Sequence, residues 1–296
     1  MALTFRKLHP CFAGEVGPVV DLKTVHDEAT LGRIRAGMDE FAVLVFRDQI
    51  WSDAEHLDFA QRLDGRLHTK LGISALQKNR LGNEALGDIS NLDESGEIMK
   101  SDNRKRMYGL GNRLWHTDAS FQDPPGRYSM LSAKVVPPVD ADTEFADMRA
   151  AYDALSGEEK ARLEGLRVHH SIAYSRQTLG FEFSENEQDA LKGAIHPLVR
   201  AIPRSGRHSL YLASHASRII DWPVPEGRLL LRELIEHATQ PRFVYRHQWR
   251  VGDLVIWDNR ATMHRARRFD DARYRRELRR VTTLDVEQPA AVPTGA

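Results

Sequence analysis

No uninterrupted apolar run in this chain is longer than six residues, Phe41 to Phe46. A helix that crosses a bilayer needs about 20, so the apolar side chains must be buried in short strands and one-sided helices, and no membrane partner is expected. With 41% hydrophobic and 28% charged residues in 296, the chain can bury a substantial core in water. Lys plus Arg equals Asp plus Glu, 42 each. Global charge therefore offers no steering toward nucleic acid. A single cysteine, Cys11, excludes an internal disulfide, and the start MALTFRKLHP has no apolar signal core. A reducing cytoplasm is the expected setting.

No repeat, low-complexity tract or linker divides the sequence, which reads as one domain over residues 1–296 with a short flexible tail at about 286–296. Helical spacing runs from Thr24 to Glu40, and Ser52 or Asp53 can cap a second helix carrying Leu57, Phe59, Ala60 and Leu63. Residues from Leu67 to Met107 are polar and weakly patterned and read as long surface loops. Tyr128 to Val136 reads as a strand ended by Pro137-Pro138. Helices follow at Ala150 to Leu155 and, from a Ser156/Glu159 capping box, to Leu166. Ser209 to Ala213 reads as a strand, Pro225 to Ala238 as a helix, and Arg242 to Tyr245, Asp253 to Trp257 and Glu277 to Leu284 as strands. This order suggests a mainly β, jelly-roll core with flanking helices.

Thirteen histidines and 23 aspartates in 296 residues give about one His-x-Asp pair by chance, so the bare pattern carries no weight. Local structure discriminates between the pairs present. On a helix, residues i and i+2 diverge around the axis, whereas on a strand they share a side. His26-Asp27 and His56-x-Asp58 fall in helical patterns. His116-x-Asp118 falls in WHTDASF (115–121), which reads as extended and can close on one ion. A third ligand is available in GDLVIWDNRATMHRARR (252–268), where a strand, a turn at Asp258-Asn259 and a returning segment carry His264. Two histidines and one carboxylate are the ligand set of non-haem Fe(II) oxygenases, and a closed zinc site would call for more cysteines. Trp115 and Trp257, next to these segments, read as core packing.

Eight arginines and no lysine follow His264 up to Arg280. Their forked guanidinium groups suit two-point recognition of carboxylates. Arg276, Leu278, Arg280 and Thr282 alternate, so they share one strand face. Roughly 13 Å separates Arg276 from Arg280 at about 3.3 Å per residue, enough for two different carboxylates.

WHTDASF, WDNRATMHRARR and RRELRRVTT (275–283) resemble the Fe(II)/2-oxoglutarate-dependent taurine dioxygenase superfamily. So do RYSMLSAKVVPP (127–138), DTEFADMRAAYDAL (142–155) and EHATQPRFVYRHQW (236–249), so the likeness covers nearly the whole chain. The resemblance implies a double-stranded β-helix in which His116, Asp118 and His264 bind Fe(II). Arg276 would hold the distal carboxylate of the co-substrate 2-oxoglutarate, helped by the hydroxyl of Thr143. Arg280 would pair with the carboxylate of the organic substrate, with Asn91 and His215 contributing to its pocket. Asn91 can equally be a turn former, and His215 a structural histidine.

The implied reaction uses O2 and 2-oxoglutarate to hydroxylate a small aryloxyalkanoate such as 2,4-dichlorophenoxyacetate, giving succinate, CO2, a phenol and glyoxylate. The alternatives are the same chemistry on a sulfonate such as taurine, a phenoxypropionate or another aryl acid, or a non-catalytic metal-binding jelly roll. Self-association as a homo-oligomer is left open. The chain departs from the family pattern in three places. One extra residue within DDARYRR (270–276) makes Arg275 an alternative to Arg276. Val139-Asp140-Ala141-Asp142 stands where a Gly-Gly pair is expected before Thr143. Lys70 and Lys78 lie where carboxylate-binding lysines are expected, but neither aligns without a gap.

Overall fold

The six-residue apolar run closes the helix Glu28–Phe41 and forms the strand Val43–Phe46. Successive side chains of a strand point to opposite faces. Val43 and Val45 join a cluster with Leu131, Phe145, Val255 and Trp257, whereas Leu44 and Phe46 join another with Ile34, Met38, Phe59 and Ile256. Both faces are covered, so no polar residue interrupts the run. The structure, a computed structural model, describes residues 3–69, 80–185, 187 and 191–286. Lys70, Lys78 and residues 287–296 of the expected tail lie outside the described residues.

The main sheet has seven strands in the spatial order Thr4–Lys7, Gly14–Gly17, Val43–Phe46, Leu254–Asp258, Gly126–Val135, Glu277–Leu284 and Leu86–Ser90. All neighbours are antiparallel except Gly14–Gly17 with Val43–Phe46. Helices Glu28–Phe41 and Asp53–Asp64 cover its outer face. The second helix begins at a capping box in which Ser52 and Glu55 satisfy each other's backbone N–H groups, worth about 1 kcal/mol.

Facing this sheet is a smaller antiparallel one of Val244–His247, Thr143–Asp147 and Thr262–Ala266. Phe145 on its central strand meets Trp257 of the main sheet, ring centroids 5.4 Å apart. The two sheets form the jelly-roll core that the sequence leads one to expect. Further small sheets, including the hairpin of Val199–Ile202 and Arg207–Leu210, and the helix Val224–Ala238 close the other side, where Leu230, Leu231 and Leu234 pack with Val168, Leu212 and Ile219. Each buried leucine contributes roughly 2 kcal/mol. No described helix is long and apolar enough to cross a membrane.

Two expectations need correction. The polar stretch from Leu67 to Met107 holds the edge strand Leu86–Ser90, paired with Glu277–Leu284, and the short helix Arg104–Gly109. Strand patterning is hidden because Asp88, whose side chain is 5% exposed, is neutralised by Arg80 and Lys105 at 3.0 and 2.8 Å. WHTDASF is not a strand: only His116 is bridged to a neighbour, and a turn begins at Asp118.

Candidate active site

His116 and His264 exchange backbone hydrogen bonds of 3.0 and 2.8 Å, which brings two distant segments side by side. Just after Asp118 the chain turns through Ala119, whose φ is 55°. That turn packs so closely against Gly126 that a Cβ there would stand 3.0 Å from the Asp118 carbonyl oxygen. The bridge and the turn, not a common strand face, aim His116 and Asp118 at the same point.

His116 Nε2 lies 3.8 Å from Asp118 Oδ1, and His264 Nε2 lies 3.8 Å from Asp118 Oδ2. All three residues are buried, and one ligand atom from each falls within 4.8 Å of the others. Two imidazole nitrogens and a carboxylate oxygen at these spacings fit a divalent ion and leave positions open for other ligands. The Nδ1–H of His116 donates to the Leu114 carbonyl at 2.8 Å, which leaves Nε2 with its lone pair exposed to the cluster. Burial holds His116 down to about 4 and His264 well below the usual histidine range, so both are neutral near pH 7. Burial alone would raise Asp118, but Arg280, His264 and His116 overcome it and hold the carboxyl at about 2. The cluster is therefore in the protonation state a metal requires.

The carboxylate is positioned from several sides. Ser129 Oγ donates to Oδ2 at 2.8 Å, Arg280 Nη1 to Oδ1 at 2.5 Å, and the Asp118 backbone N–H to Asn259 Oδ1 at 3.0 Å. Asn259 in turn donates to Ser129 Oγ at 2.9 Å and accepts from Trp257 Nε1 at 3.1 Å. Asn259 has no left-handed backbone. An Asn is needed at this turn for its side chain, not for the φ that a turn argument assigns it. Trp257 is fully buried in the core, and Trp115 packs partly buried against the other cluster, as expected.

A cavity of about 250 Å³ opens over the cluster. His116, Asp118, Asn91, His215, Arg276 and Arg280 lie on its wall, and Thr143 does not. Arg276 is 7% exposed, and its Nε donates to the Ala141 carbonyl at 3.3 Å. Burial lowers its guanidinium to about 10, against the pull of Asp142. Arg275 instead points outward to Glu97 at 2.8 Å, so the geometry favours Arg276 as the carboxylate anchor. Thr143 is buried one position beyond Asp142, and its hydroxyl accepts from Trp249 Nε1 at 3.0 Å. The absent Gly-Gly pair does no harm: none of residues 139–142 has a positive φ.

Asn91 donates to the carbonyls of Asp271 and Tyr274 at 2.7 and 2.8 Å and accepts from the Arg276 N–H at 2.8 Å. Its amide is occupied in shaping the approach to Arg276. His215 is buried, with its ring 6.0 Å from that of His116 and Nδ1 2.8 Å from Ser175 Oγ.

Most of the eight arginines are paired inside the protein: Arg265 and Arg267 with Glu144, Arg275 with Glu97, Arg279 with Glu277 and Arg280 with Asp118. Their number reflects ion pairing more than ligand binding. Sequence reasoning missed Ser129, Asn259 as a support for Asp118, and Arg176, a buried arginine on the cavity wall. An isolated Arg in the helical pattern SIAYSRQ carries no signal of that placement.

The sequence matches the taurine catabolism dioxygenase TauD, TfdA family over residues 4–282. It is 46% identical over 285 residues to the alpha-ketoglutarate-dependent 2,4-dichlorophenoxyacetate dioxygenase of Burkholderia sp. (strain RASC), covering 96% of this chain and 95% of the relative. It is 36% identical over 253 residues to the (S)-phenoxypropionate/alpha-ketoglutarate-dioxygenase of Sphingobium herbicidovorans, covering 82% of this chain and 83% of that one. The crystal structure of AAD-2 in complex with Mn(II) and N-oxalylglycine superposes with a TM-score of 0.88 at 44% identity, covering 97% of this chain and 98% of that one. With a family match spanning almost its full length and a His-Asp-His cluster able to hold a metal ion, the chain belongs to the TauD, TfdA family of dioxygenases.

Proposed function

We propose that this protein is an Fe(II)- and 2-oxoglutarate-dependent dioxygenase that hydroxylates the carbon between the ether oxygen and the carboxylate of an aryloxyalkanoate such as 2,4-dichlorophenoxyacetate. The observation that carries the substrate class is the 46% identity, over 96% of the chain, to a 2,4-dichlorophenoxyacetate dioxygenase. The site supports the cofactor assignment independently. His116, Asp118 and His264 would hold Fe(II), and Arg276 the far carboxylate of 2-oxoglutarate. A similar protein solved with Mn(II) and N-oxalylglycine, which is 2-oxoglutarate with one methylene replaced by NH, supports a metal and a co-substrate of this kind for the fold.

When bound, the iron supplies the centre at which O2 and 2-oxoglutarate react to succinate and CO2, with oxidation of one substrate C–H bond to C–OH. The protein contributes geometry and electrostatics. Arg276 orients the co-substrate from within a desolvated wall, where a guanidinium–carboxylate pair is stronger than in water. Ser129, Asn259 and Arg280 hold Asp118 still. Phe121, Ile172 and Phe269 on the cavity wall offer an apolar bed for an aromatic ring. Hydroxylation yields a hemiacetal, which collapses to a phenol and glyoxylate, so one O2, one 2-oxoglutarate and one substrate give succinate, CO2, phenol and glyoxylate.

The test is a panel of phenoxyacetate, 2,4-dichlorophenoxyacetate, both enantiomers of 2-phenoxypropionate, and taurine, supplied with Fe(II), 2-oxoglutarate and O2. Phenol and succinate should form in equal amounts from at least one aryloxyalkanoate. No phenol from any ether, with sulfite released from taurine, would transfer the assignment to sulfonates.

A further inference from the structure

A second cavity, of about 290 Å³, shares a wall with the active site. The short helix Ile172–Gln177 stands between them: Ile172 and Arg176 line the first cavity, and Ala173, Tyr174 and Gln177 line the second. Among the described residues, no Asp or Glu lines the second cavity, but Arg218 and Arg228 do. Neither arginine has an ion-pair partner among the described residues.

Local structure places these groups. The strand Ala216–Ile219 pairs with Arg167–His170, and its register shifts between Ala216, opposite His170, and Arg218, opposite His169. Ser217 is therefore the extra residue of a bulge, which re-aims side chains that would alternate on a regular strand. Ser217 and Arg218, consecutive in sequence, both line the cavity. Arg228 is fixed at two points: its Nε donates to the Ser217 carbonyl at 3.0 Å, and its Cζ stands 4.7 Å from the centre of the Tyr174 ring. Its two Nη groups have no acceptor among the described residues. Val224, on the same wall, opens the 15-residue helix Val224–Ala238, and the N-cap Pro223 gives the first-turn N–H groups no side-chain acceptor. Such a helix end favours an anion. Ser171, 7% exposed on this wall, accepts from the Tyr174 N–H at 3.2 Å, while its own O–H has no acceptor among the described residues.

We propose that this cavity is a second ligand site, separate from the metal centre, that binds a small oxyanion, a phosphate or a carboxylate, between Arg218 and Arg228. The start of the helix Val224–Ala238 and the Ser171 hydroxyl complete the cradle. The uncommitted groups on the wall are donors, and no fixed negative charge on it opposes an anion. Each guanidinium fork can take two oxygens through parallel hydrogen bonds, so an anion with several oxygens fits better than a monatomic one. The occupant would lie against the helix whose other residues, Ile172 and Arg176, wall the active site. The site goes beyond the dioxygenase reading and does not depend on the identity of the organic substrate.

The experiment compares wild type, Arg218→Gln and Arg228→Gln, each with Mn(II) and one equivalent of N-oxalylglycine holding the active site. Each protein is titrated calorimetrically with inorganic phosphate and, in a separate arm, with succinate, at constant ionic strength because salt screens exposed charges. Wild type should bind at least one of the two, and each substitution should weaken that binding about 10-fold, as for the loss of a hydrogen bond to a charged group. Turnover without added anion should stay within about 2-fold of wild type in both variants, since neither arginine lines the active-site cavity, and this also shows that they fold. Binding of phosphate alone, or of succinate alone, supports the site and identifies its oxyanion. Binding of neither by wild type, or equal affinity in all three proteins, overturns it.

Discussion

Arg280 Nη1 lies 2.5 Å from Oδ1 of Asp118, the carboxylate set between His116 and His264. A guanidinium in that place neutralises the carboxylate before any metal arrives and fixes its direction. Groups that support metal ligands typically change affinity by about 10- to 100-fold when removed. We expect Arg280→Gln to weaken Mn(II) or Fe(II) binding by about that factor, measured by equilibrium titration. Unchanged metal affinity together with a raised KM for the organic acid alone would return Arg280 to the substrate role.

Arg276 and Arg275 are neighbours with opposite surroundings. Arg276 is buried on the cavity wall, and Arg275 is paired with Glu97 at the surface. Removing a buried charged partner costs about 2–5 kcal/mol of binding. Arg276→Gln should therefore raise the KM for 2-oxoglutarate by roughly 30-fold or more, whereas Arg275→Gln should leave it within about 2-fold and change stability by less than about 1 kcal/mol. Steady-state kinetics at saturating organic acid decide between them. A larger effect from Arg275→Gln would reverse the pair.

The elements that could be read from sequence are those whose pattern depends on local residues. Glu277–Leu284 has the bounds expected of it, and Ser52 and Ser156 cap their helices as the motifs indicate. His116, Asp118 and His264 do converge, but His116 and Asp118 do not reach one point from a shared strand face. Their convergence depends on a cross-chain bridge and on a turn with positive φ at Ala119, and neither leaves a periodicity. The strand Leu86–Ser90 was hidden because its Asp88 is neutralised by cations elsewhere in the chain. Arg176 was invisible for a related reason: what distinguishes it is that, among the described residues, it is buried on the cavity wall without an ion-pair partner, a property of the folded neighbourhood.

Asp64 makes stability depend on pH. It is buried between Arg127 at 3.1 Å and Thr283 Oγ1 at 2.7 Å, and burial raises its carboxyl to about 6 against the pull of Arg127. The folded-state value lies above the unfolded one, so the native state holds the proton more tightly. Its contribution is fully present below about pH 4 and is lost as pH rises through about 6. Two units correspond to about 3 kcal/mol at most. Between pH 4 and pH 7, wild type should lose up to that much stability relative to Asp64→Asn, measured by urea denaturation at each pH. A difference between the two proteins that stays constant with pH would refute this.

Asp147 and Arg149 form a pair with almost no solvent contact, 0% and 1% exposed. Arg149 Nε and Nη2 donate to the two carboxylate oxygens at 2.9 and 3.1 Å, and Nη1 reaches the carbonyls of Asp39 and Glu40 at 2.9 and 3.3 Å. Asp147 also accepts from the Arg149 N–H at 3.0 Å, capping the helix Met148–Asp153. Asp147→Ala removes the cap and leaves a buried cation uncompensated, which should cost about 3–5 kcal/mol. The double variant Asp147→Leu, Arg149→Met removes both charges and fills much of the space. Because breaking one side of a buried pair is worse than replacing both, it should be more stable than Asp147→Ala despite carrying one more substitution. Urea denaturation of the three proteins tests this, and a double variant less stable than Asp147→Ala would mean that the carbonyl contacts of Arg149, not the ion pair, hold this junction together.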